Sequence, residues 1–201
     1  MPVITIVVLL VVFFGFVGFM VFLQVQEQRR LEKLRKIANL NNQGRLIRRY
    51  LDDIPPQYQP KDMRLWLFSR MLSNYDELLR LQPDEPLKRR RAHLQEEMDT
   101  LKESKKKRKA KPMSDELMVI ELRRLLESLE GFVGQEKRQR RLDADTAFRY
   151  HNLIEFFRCK VSSDHETYKA RQSFLSGQLE MAIELYQNAL EALNDVAEMP
   201  E

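Results

Sequence analysis

The sequence is poor in the residues that build common kinds of catalytic and cofactor site. It has one cysteine, six glycines and three histidines in 201 residues. A single cysteine excludes a disulfide framework within the chain, and the phosphate-binding patterns GxxxxGK[ST] and GxGxxG are absent. His151 and Glu155 have the i,i+4 spacing of a helical metal-binding pair, and such a pair without a third ligand is typical of a surface contact. The sequence therefore predicts no enzyme, no cofactor and no metal.

The chain also lacks the alternating β-branched pattern of strands outside its first residues. Charged residues make up 32% of it, and Leu, Glu, Arg, Lys and Ala dominate. These residues favour helix and solvated helix faces. We therefore predict an all-α fold.

A long apolar run occupies residues 3–23, where 17 of 21 positions are Val, Ile, Leu or Phe. As a helix the run would span roughly 31 Å, the thickness of a bilayer's hydrocarbon core. No small-x-small cleavage site follows it, so an uncleaved signal anchor is favoured over a cleaved signal peptide. Gly15 and Gly18 share one face and offer a place for a second membrane helix to approach. The predicted anchor, which contacts membrane lipid, includes Val3, Leu10, Phe14, Gly15, Gly18 and Leu23.

Basic residues directly after this run set its predicted orientation. They are Arg29, Arg30, Lys33, Arg35 and Lys36. Positive charge stays on the cytoplasmic side of membrane helices. The prediction is therefore a single-pass membrane protein (inner membrane if bacterial) with its N-terminus outside and residues 24–201 in the cytoplasm.

Prolines and charge runs divide the remainder of the chain. Three prolines between residues 55 and 60 disfavour helix there, and residues 102–112 contain seven basic side chains and no large apolar one. Helices are predicted at 143–160, 164–176 and 178–197, and Ser114 is a predicted N-cap. The predicted segments are 1–23 (signal anchor), 24–49 (juxtamembrane helix), 50–60 (proline-rich break), 61–101 (helical hairpin), 102–113 (basic linker or helix end) and 114–198 (C-terminal helical domain).

Trp66 is the only tryptophan, and it lies in a helix with a long apolar face. A place in the core is favoured, and a place at a membrane interface is the alternative.

The net charge of +4 conceals an uneven distribution along the chain. No Lys or Arg follows Arg171, whereas the middle of the chain is strongly basic. Such clusters indicate solvated helix faces, attraction to anionic lipid or, less favoured because aromatics are not interleaved, nucleic-acid binding. The candidate polyanion contacts are Lys88, Arg89, Arg90, Arg91, Lys105, Lys106, Lys107, Arg108 and Lys109.

The last predicted helix carries a family resemblance. Gly177, Ala182, Tyr186 and Ala189 occur at the spacing of the small and aromatic positions of a tetratricopeptide repeat, which residues 164–197 resemble. A weaker resemblance covers 61–100, where Tyr75 precedes a helix exit at Pro83. The resemblance implies antiparallel hairpins that present a groove to a protein partner. A helical bundle without repeats is the alternative, because no 34-residue period runs through the middle of the chain.

The same helix carries a continuous apolar row that we expect to pack on residues 143–176, in a coiled-coil-like manner. The residues predicted to pack this hairpin are Gly177, Leu179, Ala182, Ile183, Tyr186, Ala189 and Leu190.

Three functions fit these features. The first is a membrane-tethered cytoplasmic helical adaptor or scaffold that binds a protein partner. The second is a module that binds a polyanion, either anionic lipid or nucleic acid, through the basic clusters. The third is an accessory subunit of a larger membrane complex. The oligomeric state stays open.

Overall fold

The chain folds almost entirely into α-helices. The computed structural model describes residues 2–104 and 110–197, with the side chains at 16, 18–104 and 110–194. This part contains helices α1 (Pro2–Asp53), α2 (Lys61–Leu81), α3 (Glu85–Glu103), α4 (Glu116–Arg138), α5 (Ala144–Leu175) and α6 (Leu179–Ala197), with a 3₁₀ turn at Pro56–Tyr58. The prediction of an all-α protein is confirmed.

The same structure contradicts the predicted transmembrane helix. Among the residues that the structure describes, no helix combines the length and the apolar character needed to cross a membrane. The part of the apolar run with described side chains ends at Leu23, and residues 16–23 span only about 12 Å of helix. The predicted anchor residues Val3, Leu10, Phe14 and Gly15 lie outside the described side chains.

The predicted signal anchor, single-pass topology and cytoplasmic orientation are therefore corrected together. The five residues predicted to set the orientation are all exposed on α1: Arg29, Arg30, Lys33, Arg35 and Lys36. Arg30 approaches Glu27 at 3.9 Å, and Lys36 approaches Glu77 of α2 at 3.8 Å. Their contacts are thus the ordinary ion pairs of a charged helix surface.

Proline sets the boundaries of the first helices. Pro55 and Pro56 follow the end of α1, and Pro60 is the N-cap residue of α2, since proline tolerates these positions but not a helix interior. The polar stretch at 39–44 does not end α1. Gly44 leaves room for the Asn74 side chain of α2, because a Cβ at Gly44 would lie 3.3 Å from Asn74 Nδ2, and that amide donates to the Leu40 carbonyl at 2.7 Å.

Two other helix boundaries differ from the predicted ones. Asp115, not Ser114, caps α4 by accepting a hydrogen bond from the Leu117 amide at 3.0 Å. The predicted helices at 143–160 and 164–176 form the single 32-residue helix α5, because no proline or glycine interrupts that stretch.

The core lies between the C-terminal third of α1 and helices α2, α4 and α5. Trp66 of α2 packs against Phe132 of α4 and Tyr150 of α5, with ring centroids 5.7 and 5.4 Å apart, which places it in the core. The side chains buried most completely include Ile47, Tyr50, Ile54, Tyr58, Met63, Leu67, Leu126, Leu129, Ile154 and Val161.

Two further features complete this core. One is a buried ion pair, and the other is the non-helical segment that precedes α4. Glu136 of α4 is fully buried, and its carboxylate lies 2.5 Å from Nε of Arg70 on α2. After the basic linker, the backbone amide and carbonyl of Lys111 both bond the Gln57 side chain, at 2.8 and 2.6 Å. Met113 is then buried, with its carbonyl 2.9 Å from Nδ1 of His165.

The two remaining helices flank the core. Helix α3 packs on α2, and α6 packs on α5. Each therefore has one helix as its main neighbour and leaves a wide face exposed. The surfaces that these two flanking helices create are the candidate sites of the molecule.

Candidate functional site

A tight glycine turn places α6 against α5. Gly177 has φ +80°, and the hydrogen bonds Gln178 N to Ser173 O (2.9 Å) and Gly177 N to Phe174 O (3.1 Å) close a Schellman motif. This left-handed conformation favours glycine. The turn directs α6 back along α5.

Small side chains let the two helices approach closely. Ala182 and Ala189 of α6, seven residues apart, are 3 and 4% exposed. They face small buried residues of α5, and Oγ of Ser163 donates to the Ala189 carbonyl at 2.9 Å. Helix axes come together where small residues line the contact. We call this contact the alanine seam; on the α5 side it includes Ser163, and two more small residues of α5, Ala170 and Ser173, are buried along the same helix.

The large apolar residues of α6 lie outside this seam. We name Leu179, Ile183, Tyr186 and Leu190 the α6 stripe. Their exposed fractions are 56, 58, 43 and 59%. At about 100° per residue, the stripe lies roughly a quarter turn away from the alanine seam. Of the residues predicted to pack this hairpin, only Ala182 and Ala189 are buried against α5. Phe174 and Leu175, at the end of the hairpin, are also exposed.

Acidic residues border the α6 stripe. Glu180, Glu184 and Glu191 are exposed on the side of α6 away from the alanine seam. Because no Lys or Arg follows Arg171, nothing later in the chain offsets their charge. The stripe is therefore an apolar row with a negative edge.

A groove lies on the other flank of the molecule, where α1 and α3 stand on either side of α2. Two adjoining cavities of about 510 and 720 Å³ occupy it. We name this feature the α1/α3 groove. The first cavity combines apolar side chains with basic ones: Leu40, Met71, Leu78, Leu87 and Leu94, together with Arg45, Arg48, Arg90 and His93.

An ion-paired cluster separates the two cavities. Arg48 of α1 donates to Glu97 of α3 at 2.8 Å, and Nε2 of His93 lies 3.1 Å from the same carboxylate. The hydrogen bond to Glu97 is the main cause that raises the pKa of Arg48. In the part of the chain that the structure describes, Arg45 and Arg90 form no ion pair, so their charges remain available at the rim.

The predicted polyanion cluster is partly neutralised. Lys88 pairs with Glu85 at 3.2 Å, and Arg91 pairs with Asp76 of α2 at 2.5 Å. The hydrogen bond to Asp76 raises the pKa of Arg91. Arg89 is exposed, and Arg90 lines the groove. The other five predicted contacts, Lys105, Lys106, Lys107, Arg108 and Lys109, lie outside the described residues.

A third cluster has the composition of a metal site. Ligand atoms of Glu130, His151 and Glu155 lie within 4.8 Å of one another. The sequence singled out the second and third of these residues, and α4 adds the first. However, Nδ1 of His151 already contacts Glu130 at 3.0 Å, and Arg158 contacts the other oxygen of Glu130 at 3.3 Å. The guanidinium occupies the position of a neutralising cation, so these groups join α4 to α5 as an ion-pair network.

The sequence missed the α1/α3 groove and the exposure of the α6 stripe. The signals that point to them are an apolar arc on α6 too wide for one neighbour and charged residues of opposite sign on α1 and α3. No family model, curated protein or solved structure matches this chain.

Proposed function

We propose that this protein is a helical scaffold that binds a protein partner through the α6 stripe. The observation that carries the proposal is a row of four large apolar side chains, 43 to 59% exposed, on a helix whose fully buried residues, among those described, are both alanines. Contiguous exposed apolar surface marks sites of interaction.

The free energy available from covering the stripe supports this function. Burying a Leu, Ile or Phe side chain completely contributes about 1.5–3 kcal/mol. Since each stripe residue is about half exposed, covering all four contributes on the order of 4 kcal/mol. Micromolar binding requires about 8 kcal/mol net, so an interface of that strength needs contacts beyond these four residues.

The spacing of the stripe indicates the shape of the partner. Leu179, Ile183, Tyr186 and Leu190 occur at i, i+4, i+7 and i+11, which is the 4-3-4 spacing of a coiled-coil seam. Amphipathic helices bind other helices through anchors with this spacing. A partner surface that accepts the apolar face of a helix therefore fits the stripe.

Polyanion binding has less support. Lys88 and Arg91 are already paired with carboxylates, and α6 is acidic. The α6 stripe and the basic cluster also lie on different helices. Protein binding uses an apolar surface that the fold leaves exposed.

Site-specific photo-crosslinking tests the proposal. A photoreactive phenylalanine analogue at Tyr186 is expected to crosslink a defined protein in extracts of the source cells. The same analogue at exposed Gln172 of α5 serves as the control position. Ile183→Glu with Leu190→Glu is expected to abolish the crosslink by placing charge in the stripe.

The matched control substitution is Phe148→Glu, at another exposed apolar residue, 55% exposed on α5. It is expected to keep the Tyr186 crosslink. Equal crosslinking from Tyr186 and Gln172, or a crosslink that survives the double stripe variant, would contradict the proposal.

A further inference from the structure

The α1/α3 groove has the shape and chemistry of a receptor for a helix. Its accessible apolar lining is formed by the half-buried side chains of Tyr75 and Leu87, above a floor of Leu40, Met71, Leu78 and Leu94 that is only 3–6% exposed. Along α1 the first cavity runs from Leu40 to Arg48, a distance of about 12 Å at 1.5 Å per residue, and the Arg48–Glu97 hydrogen bond separates it from the second cavity. The α6 stripe, from Leu179 to Leu190, is about 16 Å long by the same rule. The first cavity is therefore long enough for about two turns of α6, which carry three of the four stripe residues.

The charges of the two features are complementary. Arg45 and Arg90 stand at the first cavity of the groove without an ion-pair partner among the described residues. Glu180, Glu184 and Glu191 border the stripe, and none of them forms an ion pair in the described part of the chain. Complementary charge sets partner choice and register at interfaces. Two stripes facing each other would instead bring carboxylates together.

We propose that the α1/α3 groove of one copy of this protein receives the α6 stripe of a second copy. The inference rests on the proposed function, because it names a partner for the stripe. Within one chain, α6 packs on α5 whereas α3 packs on α2, so the stripe and the groove lie on different flanks. Each copy thus presents both halves of the contact.

A contact of this kind is head-to-tail. Its two surfaces differ, so an open assembly always ends with one free groove and one free stripe. The mass of the full-length protein is therefore expected to rise with concentration. Assembly stops where the geometry closes a ring or a reciprocal pair.

Mixing two complementary variants tests the inference on the full-length protein. The groove variant carries Arg45→Glu and Arg90→Glu, and the stripe variant carries Ile183→Glu and Leu190→Glu. All four positions are exposed, and circular dichroism checks that both variants keep their helical content. Alone, each is expected to be monomeric by light scattering at concentrations where the wild type self-associates. Mixed, they are expected to form a 1:1 heterodimer, because one supplies an intact groove and the other an intact stripe.

A charge exchange sharpens the test. Glu180→Lys, Glu184→Lys and Glu191→Lys in one copy are expected to weaken its binding to a wild-type groove at least tenfold. The same triple variant is expected to recover binding to the groove variant, whose rim is acidic. Raising the salt concentration is expected to reduce both effects, since exposed charges are screened. The Phe148→Glu protein is expected to self-associate like the wild type.

Three outcomes would overturn the inference. They are a wild-type protein that stays monomeric at all accessible concentrations, a groove variant that self-associates normally, and an equimolar mixture that fails to form the heterodimer. The proposed function fails separately. A Tyr186 crosslink to a different protein, together with a monomeric chain, supports the scaffold function and rejects this inference.

Discussion

The two flanking helices are attached to the core in opposite ways. Helix α3 turns its large apolar residues Leu94 and Met98 inward, where they are 3 and 8% exposed, and ties its polar face to α2 with Arg91. Helix α6 turns its alanines inward and leaves Leu, Ile and Tyr in solvent. Helix α3 therefore buries large apolar side chains within the protein, whereas α6 leaves its stripe exposed to solvent.

This difference separates a helix that stabilises the fold from one that is positioned to bind. Burial of Leu94 and Met98 contributes directly to the free energy of unfolding. The same kind of side chain on α6 contributes only when something covers it. The alanine seam, together with half-buried Leu185 and Leu193, holds α6 in place without the four stripe residues, so the stripe stays available.

The largest expected contrast comes from the same truncation on both flanks. Leu94→Ala on α3 is expected to lower the free energy of unfolding by about 2–5 kcal/mol, because it leaves a cavity in the core. Leu190→Ala on α6 is expected to change it by less than about 0.5 kcal/mol. Urea denaturation of the purified protein measures both. Similar losses would mean that the stripe is packed within the protein.

The second largest expected change in the free energy of unfolding comes from enlarging a residue of the alanine seam. Ala189→Leu is expected to cost about 1–3 kcal/mol, since the seam has no room for three more carbons. Ala92→Leu, at an exposed position of α3, is the matched control and is expected to stay within about 0.5 kcal/mol. Thermal melts monitored by circular dichroism give the comparison. A neutral Ala189→Leu would show that α5 and α6 are farther apart than their small residues indicate.

Two helix ends allow a test of the hairpin turn. Gly177 and Arg140 both adopt positive φ, +80° and +55°, in Schellman motifs. Gly177→Ala is expected to cost about 1–2 kcal/mol through backbone strain alone, since no atom lies within 4 Å of the added Cβ. Arg140→Gly is expected to stabilise the protein by less than about 1 kcal/mol. Melting temperatures that shift in the same direction would reject this account of the turns.

The smallest expected effect concerns salt. Arg91→Gln removes the 2.5 Å ion pair between α3 and Asp76; because both groups are partly exposed, we expect a loss of about 0.2–1 kcal/mol. The loss should disappear in 1 M NaCl, where exposed charges are screened. The Ala189→Leu penalty should be the same at both salt concentrations, since the alanine seam contains no charged residue. A salt-independent Arg91→Gln loss would point to packing by the side chain's apolar stem.

Local features of the fold were predictable where a single residue type decides the outcome. Prolines 55, 56 and 60 predicted the break between α1 and α2, and the apolar spacing of α2 predicted a core-facing helix that includes Trp66. The sequence was a weaker guide where contact with a neighbouring helix determines the local structure. The polar stretch at 39–44 stays helical because Asn74 of α2 packs on Gly44 and bonds the Leu40 carbonyl. That contact joins residues more than thirty positions apart.

The candidate sites were less predictable than the fold. The apolar run at 3–23 suggested a span that the described helices do not provide. The basic cluster at 88–91 suggested free positive charge, but Arg91 and Lys88 have acidic partners. The partner Asp76 lies on another helix, so neither its distance nor its orientation can be derived from the order of residues.

The sequence by itself determined the helical class, the proline boundaries and the apolar arc on α6, because these follow from backbone restrictions and residue periodicity. Only the tertiary structure decided which part of that arc is buried. Leu179, Ala182, Ile183, Tyr186 and Ala189 all belong to one apolar row in the sequence. The close approach of α5 selects the alanines for the seam, and the larger side chains are left in solvent because they do not fit between helices so near to each other.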